Sequence, residues 1–441
     1  MRVLNLPVAT LVSGAIADAA FIGFGTRTVG VKADVLTVPP NPRTASLTQV
    51  RNPNFRRHGP LALAKIYRKY GVPLPEDLRL VLAAMKSHHR RDTGSVVATP
   101  ESNDLEYLLP VFIGTPPQQL NIDMDTGSSD LWVFSTEIPS SQSGGQTEYD
   151  PSKSTTARNL PGATWDIRYG DGSSSGGDVY IDRVEIGNIS FANQAVEAAN
   201  RVSAEFSQDS QNDGVFGLAF SILNQVTPDP QQTFFDNLIP DLDKPLFTVD
   251  LKSHSREFIP AWRLSPCLHY TSAGNLNFGY IDPKAYTGDI AYTPVNDTQG
   301  FWAFTAPGYA VGSASQEYNI HGVTDTGTTL LLLPKVVVDD YYSSVPGAAY
   351  DKNHGGVTFK CSASMPDLSI SIGDNATVTI PGEYIRYGSV ESSGDANQLC
   401  FGGLQSDVGI GFSIFGDVFL KATFVVFDAG ELQLGFAAKN L

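Results

Sequence analysis

Asp125-Thr126-Gly127-Ser128 and Asp325-Thr326-Gly327-Thr328 repeat one pattern: a carboxylate, a hydroxyl, a glycine and a second hydroxyl. Glycine lets the backbone turn sharply, so each carboxylate can be held close to another chain segment. The hydroxyls of Ser128 and Thr328 are then placed to orient the carboxylates. If Asp125 and Asp325 meet, like charges cannot both ionise easily, and the pair shares one proton. One carboxylate then acts as base and the other as acid. That pairing suits activating a water and protonating an amide without a metal or a covalent intermediate.

The motif alone decides little, because Asp92-Thr93-Gly94-Ser95 matches it too. The elements leading into each copy separate the three. Asp125 follows the alternating run Leu120-Asn121-Ile122-Asp123-Met124 and leads into Leu131-Trp132-Val133-Phe134; Asp325 follows Ile320 and Val323 and precedes Leu330 to Leu333. Both contexts predict strands. Asp92 follows His88-His89-Arg90-Arg91 and reads as a solvated loop. Each strand-borne copy also has a later apolar pair closed by glycine, Val215-Phe216-Gly217 and Ile414-Phe415-Gly416. Either alone reads equally well as a core strand with a tight turn; together they indicate a duplicated design. Between the acids, Trp165 to Tyr169 and Val179 to Ile181 flank Gly170-Asp171-Gly172-Ser173, the pattern of a β-hairpin.

With these motifs the chain, from about residue 101 to its end, resembles the pepsin-like aspartic endopeptidases, and within them the fungal penicillopepsin and aspergillopepsin group. The resemblance implies a bilobal, mainly β fold with a cleft between two lobes, and Asp125 and Asp325 as the catalytic pair. It implies support of the dyad by Gly127, Ser128, Gly327 and Thr328. The hairpin becomes a flap over substrate, with Tyr169, Gly170, Asp171 and Ser173 at its tip and Trp132 behind the tyrosine. Asp171 matches a flap-tip acid that, in some fungal members, permits a basic residue at the cleavage position. Protein and peptide substrates follow, with large apolar residues preferred around the cut bond. The resemblance also implies a Cys361–Cys400 disulfide. A pepsin-fold binding or inhibitor protein that has lost catalysis is the rival reading, but the residues such proteins usually lose are all present.

Charge is divided unevenly. Residues 1–100 carry 14 Lys and Arg against 5 Asp and Glu, net +9; the remainder carries 16 against 41, net −25. A basic leader on an acidic body suggests intramolecular masking that weakens as carboxylates protonate. The expected division is a signal peptide at 1–19, a prosegment at 20–98, a first lobe at 99–246, an inter-lobe segment at 247–274 and a second lobe at 275–441. Leu61 to Tyr70 has helical apolar spacing. Lys69-Tyr70 looks like the pair with which related prosegments plug the active site, although a solvated helix-end charge is the plainer reading of Lys69. Arg90-Arg91 is a dibasic cut site, with self-cleavage at an apolar bond as the alternative. Met1 to Ala19 has the outline of a secretory leader, interrupted by Pro7 and Asp18. A secreted, extracellular enzyme is expected, a vacuolar one being the variant.

Short runs rich in Val, Ile, Tyr, Phe and Thr, separated by Gly, Asp, Ser and Pro, predict a mostly β protein. Helices are expected only at the prosegment, near Thr233 to Leu238 and near Lys335 to Tyr342. No metal-ligand spacing, nucleotide loop or membrane-spanning run is present, and the acidic body disfavours nucleic acid. The expectation is an enzyme without cofactor or metal, acting as a monomer. Asn188, Asn296 and Asn375 head sequons that could carry sugars. The third cysteine, Cys267, lies in an atypical insertion at 253–273, read either as a translated intron or as a tolerated surface loop.

Overall fold

Strand Gln118–Asp125 is buried along its second half and ends on the first acidic motif. The neighbouring Leu131–Phe134, buried at every position, leaves that motif on the far side of a tight loop. The computed structural model describes residues 44–51, 57–89, 107–168, 174–204, 206–208, 210–252, 274–390 and 398–441. The flap-tip residues Tyr169, Gly170, Asp171 and Ser173 lie outside the described residues. So do the expected secretory segment at 1–19, Arg90-Arg91, Asp92-Thr93-Gly94-Ser95 and the insertion 253–273.

The protein is mainly β, as the resemblance implied, with its described strands in four sheets. A nine-stranded sheet holds the first motif. In it Gly214–Gly217 runs parallel to Gln118–Asp125, with Asp125 opposite Gly217, and antiparallel to Leu131–Phe134. A seven-stranded sheet repeats the arrangement: Ser413–Phe415 runs parallel to Ala314–Thr324 and antiparallel to Leu331–Leu333. The two apolar-Gly segments therefore thread between the strands that flank the two acidic loops. Their hydrophobicity follows from burial on both faces, where no alternation is needed.

A six-stranded sheet joins the halves, in the order Ala45–Thr48, Gly274–Phe278, Leu246–Leu251, Phe424–Asp428, Gln433–Ala438 and Thr287–Pro294. It draws strands from the start, middle and end of the chain. Phe247 stacks on Phe427 at 4.5 Å, and Trp302 packs edge-on against both. The Trp302 indole N–H donates to the Leu218 carbonyl at 2.9 Å, tying the second acidic loop's surroundings to the first.

Helices α1 (Gly59–Lys69) and α2 (Glu76–His89) precede the first lobe, and α3 (Phe234–Leu238) and α4 (Lys335–Ser343) follow the two expected later positions. α1 starts two residues earlier than its apolar spacing suggested, because Pro60 occupies the first turn, where its missing N–H costs nothing. α2 was not expected. Leu78 and Leu82, one helical turn apart, bury against the second lobe, so tertiary contact supports this helix. Cys361 and Cys400 form the disulfide. No described helix is long and apolar enough to cross a membrane.

Candidate active site

Asp125 and Asp325 come from the two repeated loops and meet at the junction of the lobes. Each is held alike. The Gly127 and Gly327 amides donate to Asp125 Oδ1 at 2.8 Å and Asp325 Oδ1 at 3.0 Å. Ser128 Oγ donates to Asp125 Oδ2 at 2.6 Å, and Thr328 Oγ1 donates to Asp325 Oδ2. The middle threonines lock the loops together. The Thr126 amide donates to Thr326 Oγ1 at 3.0 Å and the Thr326 amide to Thr126 Oγ1 at 3.1 Å, while each hydroxyl donates across to the other lobe's strand, at Thr324 O and Met124 O. All four donors are buried, so each bond is made where an unpaired group would be costly.

The glycines serve a different purpose from the one expected. Neither adopts positive φ. A Cβ on Gly127 would lie 2.6 Å from Asp325 Oδ1, and one on Gly327 would lie 2.6 Å from Asp125 Oδ1. Glycine is needed because the opposite carboxylate occupies the space.

α1 ends at this point. Lys69 Nζ donates to Asp125 Oδ1 at 2.6 Å and to Asp325 Oδ1 at 2.7 Å, and the Tyr70 hydroxyl donates to Asp325 Oδ2 at 2.8 Å. The Tyr70 ring sits between Phe412 and Phe301 at 5.2 and 5.8 Å. Burial works to raise the Asp125 carboxyl, but the Lys69 charge, with hydrogen bonds from Lys69 and Ser128, holds it below the usual range. Asp325 is raised, by burial first and then by the charge of Asp125, against the pull of Lys69. Burial works against charge on Lys69 as well, yet the two carboxylates keep its ammonium above its ordinary value. The dyad is thus split, one carboxyl favouring its ion and the other its proton.

Further contacts were not read from the sequence. Lys65, one turn before Lys69, stands 3.6 Å from Asp123 Oδ2. Asp123 is buried, and burial pushes its carboxyl up to about 7 despite that cation. The i, i+4 spacing of Lys65 and Lys69 and the i, i+2 spacing of Asp123 and Asp125 were visible signals, because each puts two groups on one face. The reciprocal threonine bonds left only the repeat itself as a hint.

Trp132 packs against the hairpin formed by Arg158–Arg168 and Ser174–Ile186, with its ring 5.9 Å from Trp165. The last described pair before the tip is Arg168 with Ser174. Asn188, Asn296 and Asn375 are exposed. Among the described residues no group of three His, Cys, Asp or Glu side chains could hold a metal ion.

Two inward-facing acidic loops on a duplicated β framework define the class, and the chain belongs to the eukaryotic aspartyl protease family, which it matches over residues 106–439. It is an aspartic endopeptidase. The chain is 51% identical to endothiapepsin of Cryphonectria parasitica over 402 residues, covering 90% of this chain and 91% of the relative. It is 49% identical to aspergillopepsin-1 of Aspergillus pseudoglaucus over 401 residues, 91% and 94% of the two chains. With penicillopepsin-1 of Penicillium rubens the identity is 48% over 380 residues, 86% and 87% of the chains.

Proposed function

We propose that Asp125 and Asp325 hydrolyse peptide bonds in acid, and that the chain is made as a zymogen whose own leader blocks them. The observation that carries this reading is Lys69 Nζ lying between both carboxylates at 2.6 and 2.7 Å. Once that ammonium leaves, one proton and a water take its place. The ionised carboxylate draws a proton from the water as it attacks the scissile carbonyl, and the protonated partner donates to the carbonyl oxygen. The nitrogen is protonated as the tetrahedral intermediate collapses. Gly127, Ser128, Gly327 and Thr328 hold the carboxylates in that geometry. The hairpin carrying Tyr169, Gly170, Asp171 and Ser173, backed by Trp132, closes over an extended peptide and excludes water.

In this reading residues 1–19 direct export, 20–98 form the prosegment, 99–246 and 275–441 form the lobes, and 247–274 links them. The enzyme is secreted, acts as a monomer, prefers large apolar residues around the cut bond and accepts Lys before it through Asp171. The exposed Asn188, Asn296 and Asn375 are suitable for glycans. Incubating the full chain at about pH 3–4 with an unfolded protein substrate tests the proposal. Pepstatin-sensitive cleavage that is absent in Asp325→Asn is expected. A folded, processed chain that cleaves nothing would instead be a binding protein on this fold.

A further inference from the structure

Behind the first acidic loop lies a second carboxyl pair that the reaction does not use. Asp130 and Glu197 are both buried and share the Asn224 side-chain amide as a donor. Asn224 Nδ2 donates to Asp130 Oδ1 at 3.0 Å and to Glu197 Oε1 at 2.8 Å. Its amide cannot turn over, because Asn224 Oδ1 already accepts from the Val226 and Gln231 amides. Asp130 Oδ1 also accepts from the Gln225 amide at 2.7 Å. Glu197 Oε2 is buried and meets no donor. Among the described residues no Lys, Arg or His pairs with either carboxyl; the only other ionisable group acting on the pair is Asp125, whose charge raises Asp130 further.

Two buried carboxylates without a cation do not readily both ionise, so the pair retains a proton. The segment this proton secures matters. Asp130 follows the Asp125 loop directly, its carbonyl accepts from the Gly217 amide, and its side chain fixes the chain at Gln225.

The second lobe provides an internal comparison. Leu330 stands after the second loop where Asp130 stands after the first. Where Trp132 pairs with Glu197 in parallel strands, Leu332 pairs with Gln405. Leu330 and Gln405 are fully buried and build the same turn without an ionisable group. The fold therefore does not require carboxyls here.

We propose that Asp130 and Glu197 form a proton lock, confined to the first lobe, that holds the first acidic loop in acid and loosens it as the medium becomes neutral. The direction of the shifts agrees. Burial pushes Asp130 up to about 7, and burial with the Asp130 charge raises Glu197 well above its ordinary value. A carboxyl raised in the folded state contributes its full stability below its unfolded pKa and loses it as pH rises through the folded one. Such a lock makes the enzyme self-limiting outside acidic surroundings through groups other than the dyad itself.

Urea unfolding of the full chain, followed by tryptophan fluorescence from about pH 5 to pH 8, tests this against Glu197→Gln, which copies the second lobe. The expected result is an unfolding constant for the natural chain that grows relative to the variant by about tenfold per pH unit until the pair ionises. Asp130→Asn should act in the same direction. Parallel pH dependence in the natural chain and the variants overturns the lock. So does failure of both amide variants to fold, since each keeps the shape and hydrogen bonds of the protonated pair.

Discussion

At the scale of single residues the site is governed by mutual exclusion of space. Gly127 and Gly327 each face the opposite lobe's carboxylate at a distance no Cβ tolerates. Gly127→Ala should therefore displace Asp325 while leaving the fold intact, lowering kcat by about a hundredfold, as misplacing a reacting group by about 1 Å does. Steady-state kinetics on the activated enzyme, with circular dichroism to confirm the fold, checks this. The threonine net is equally local. Thr126 Oγ1 both accepts from the Thr326 amide and donates to Thr324 O, so removing it strands two buried groups at once.

At the scale of elements, the proposed zymogen makes α1 the part whose position depends on pH. Breaking a buried charge pair by removing one partner costs about 3–5 kcal/mol, because the remaining charge is left uncompensated. Lys69→Met should loosen the leader at neutral pH, seen as cleavage or protease sensitivity of residues before the first lobe under conditions where the natural chain stays whole. The sign of the acid response follows from Asp125. Its carboxyl is held low, chiefly by the Lys69 charge working against burial. The docking stability this provides is present above the ordinary carboxylate pKa and is lost as pH falls through the lowered value. Asp123 is instead raised to about 7, so its attraction for Lys65 is also lost as pH falls, but already in weaker acid. Lys65 is half exposed and its contact is long, at 3.6 Å, so it contributes much less than Lys69.

At the scale of the whole molecule, the chain is two versions of one design joined by the six-stranded sheet, with differences that have consequences. The disulfide belongs to the second lobe only, linking residues 39 apart. Replacing Cys361 and Cys400 together by Ala should cost about 2–4 kcal/mol, measured as a lowered urea midpoint, through the freed loop of the unfolded chain. The first lobe has the carboxyl pair Asp130 and Glu197 where the second has Leu330 and Gln405. Reduction and neutralisation should therefore weaken different halves of the molecule.

What the sequence determined by itself was the chemistry and its duplication. Local spacing is preserved along the chain, so the paired acidic motifs, the apolar-Gly strands, the hairpin around Trp165 and the helix carrying Lys69 were all legible. Tertiary structure decided everything that joins segments distant in sequence. It brought Thr126 to Thr326, Lys65 to Asp123, Leu78 to the second lobe and Glu197 to Asp130, and it turned the role of the loop glycines from bending to clearance. Periodicity reports which face of an element is buried. It does not report what the opposite surface contributes, and at this site the opposite surface supplies the charges, the hydrogen bonds and the steric limit.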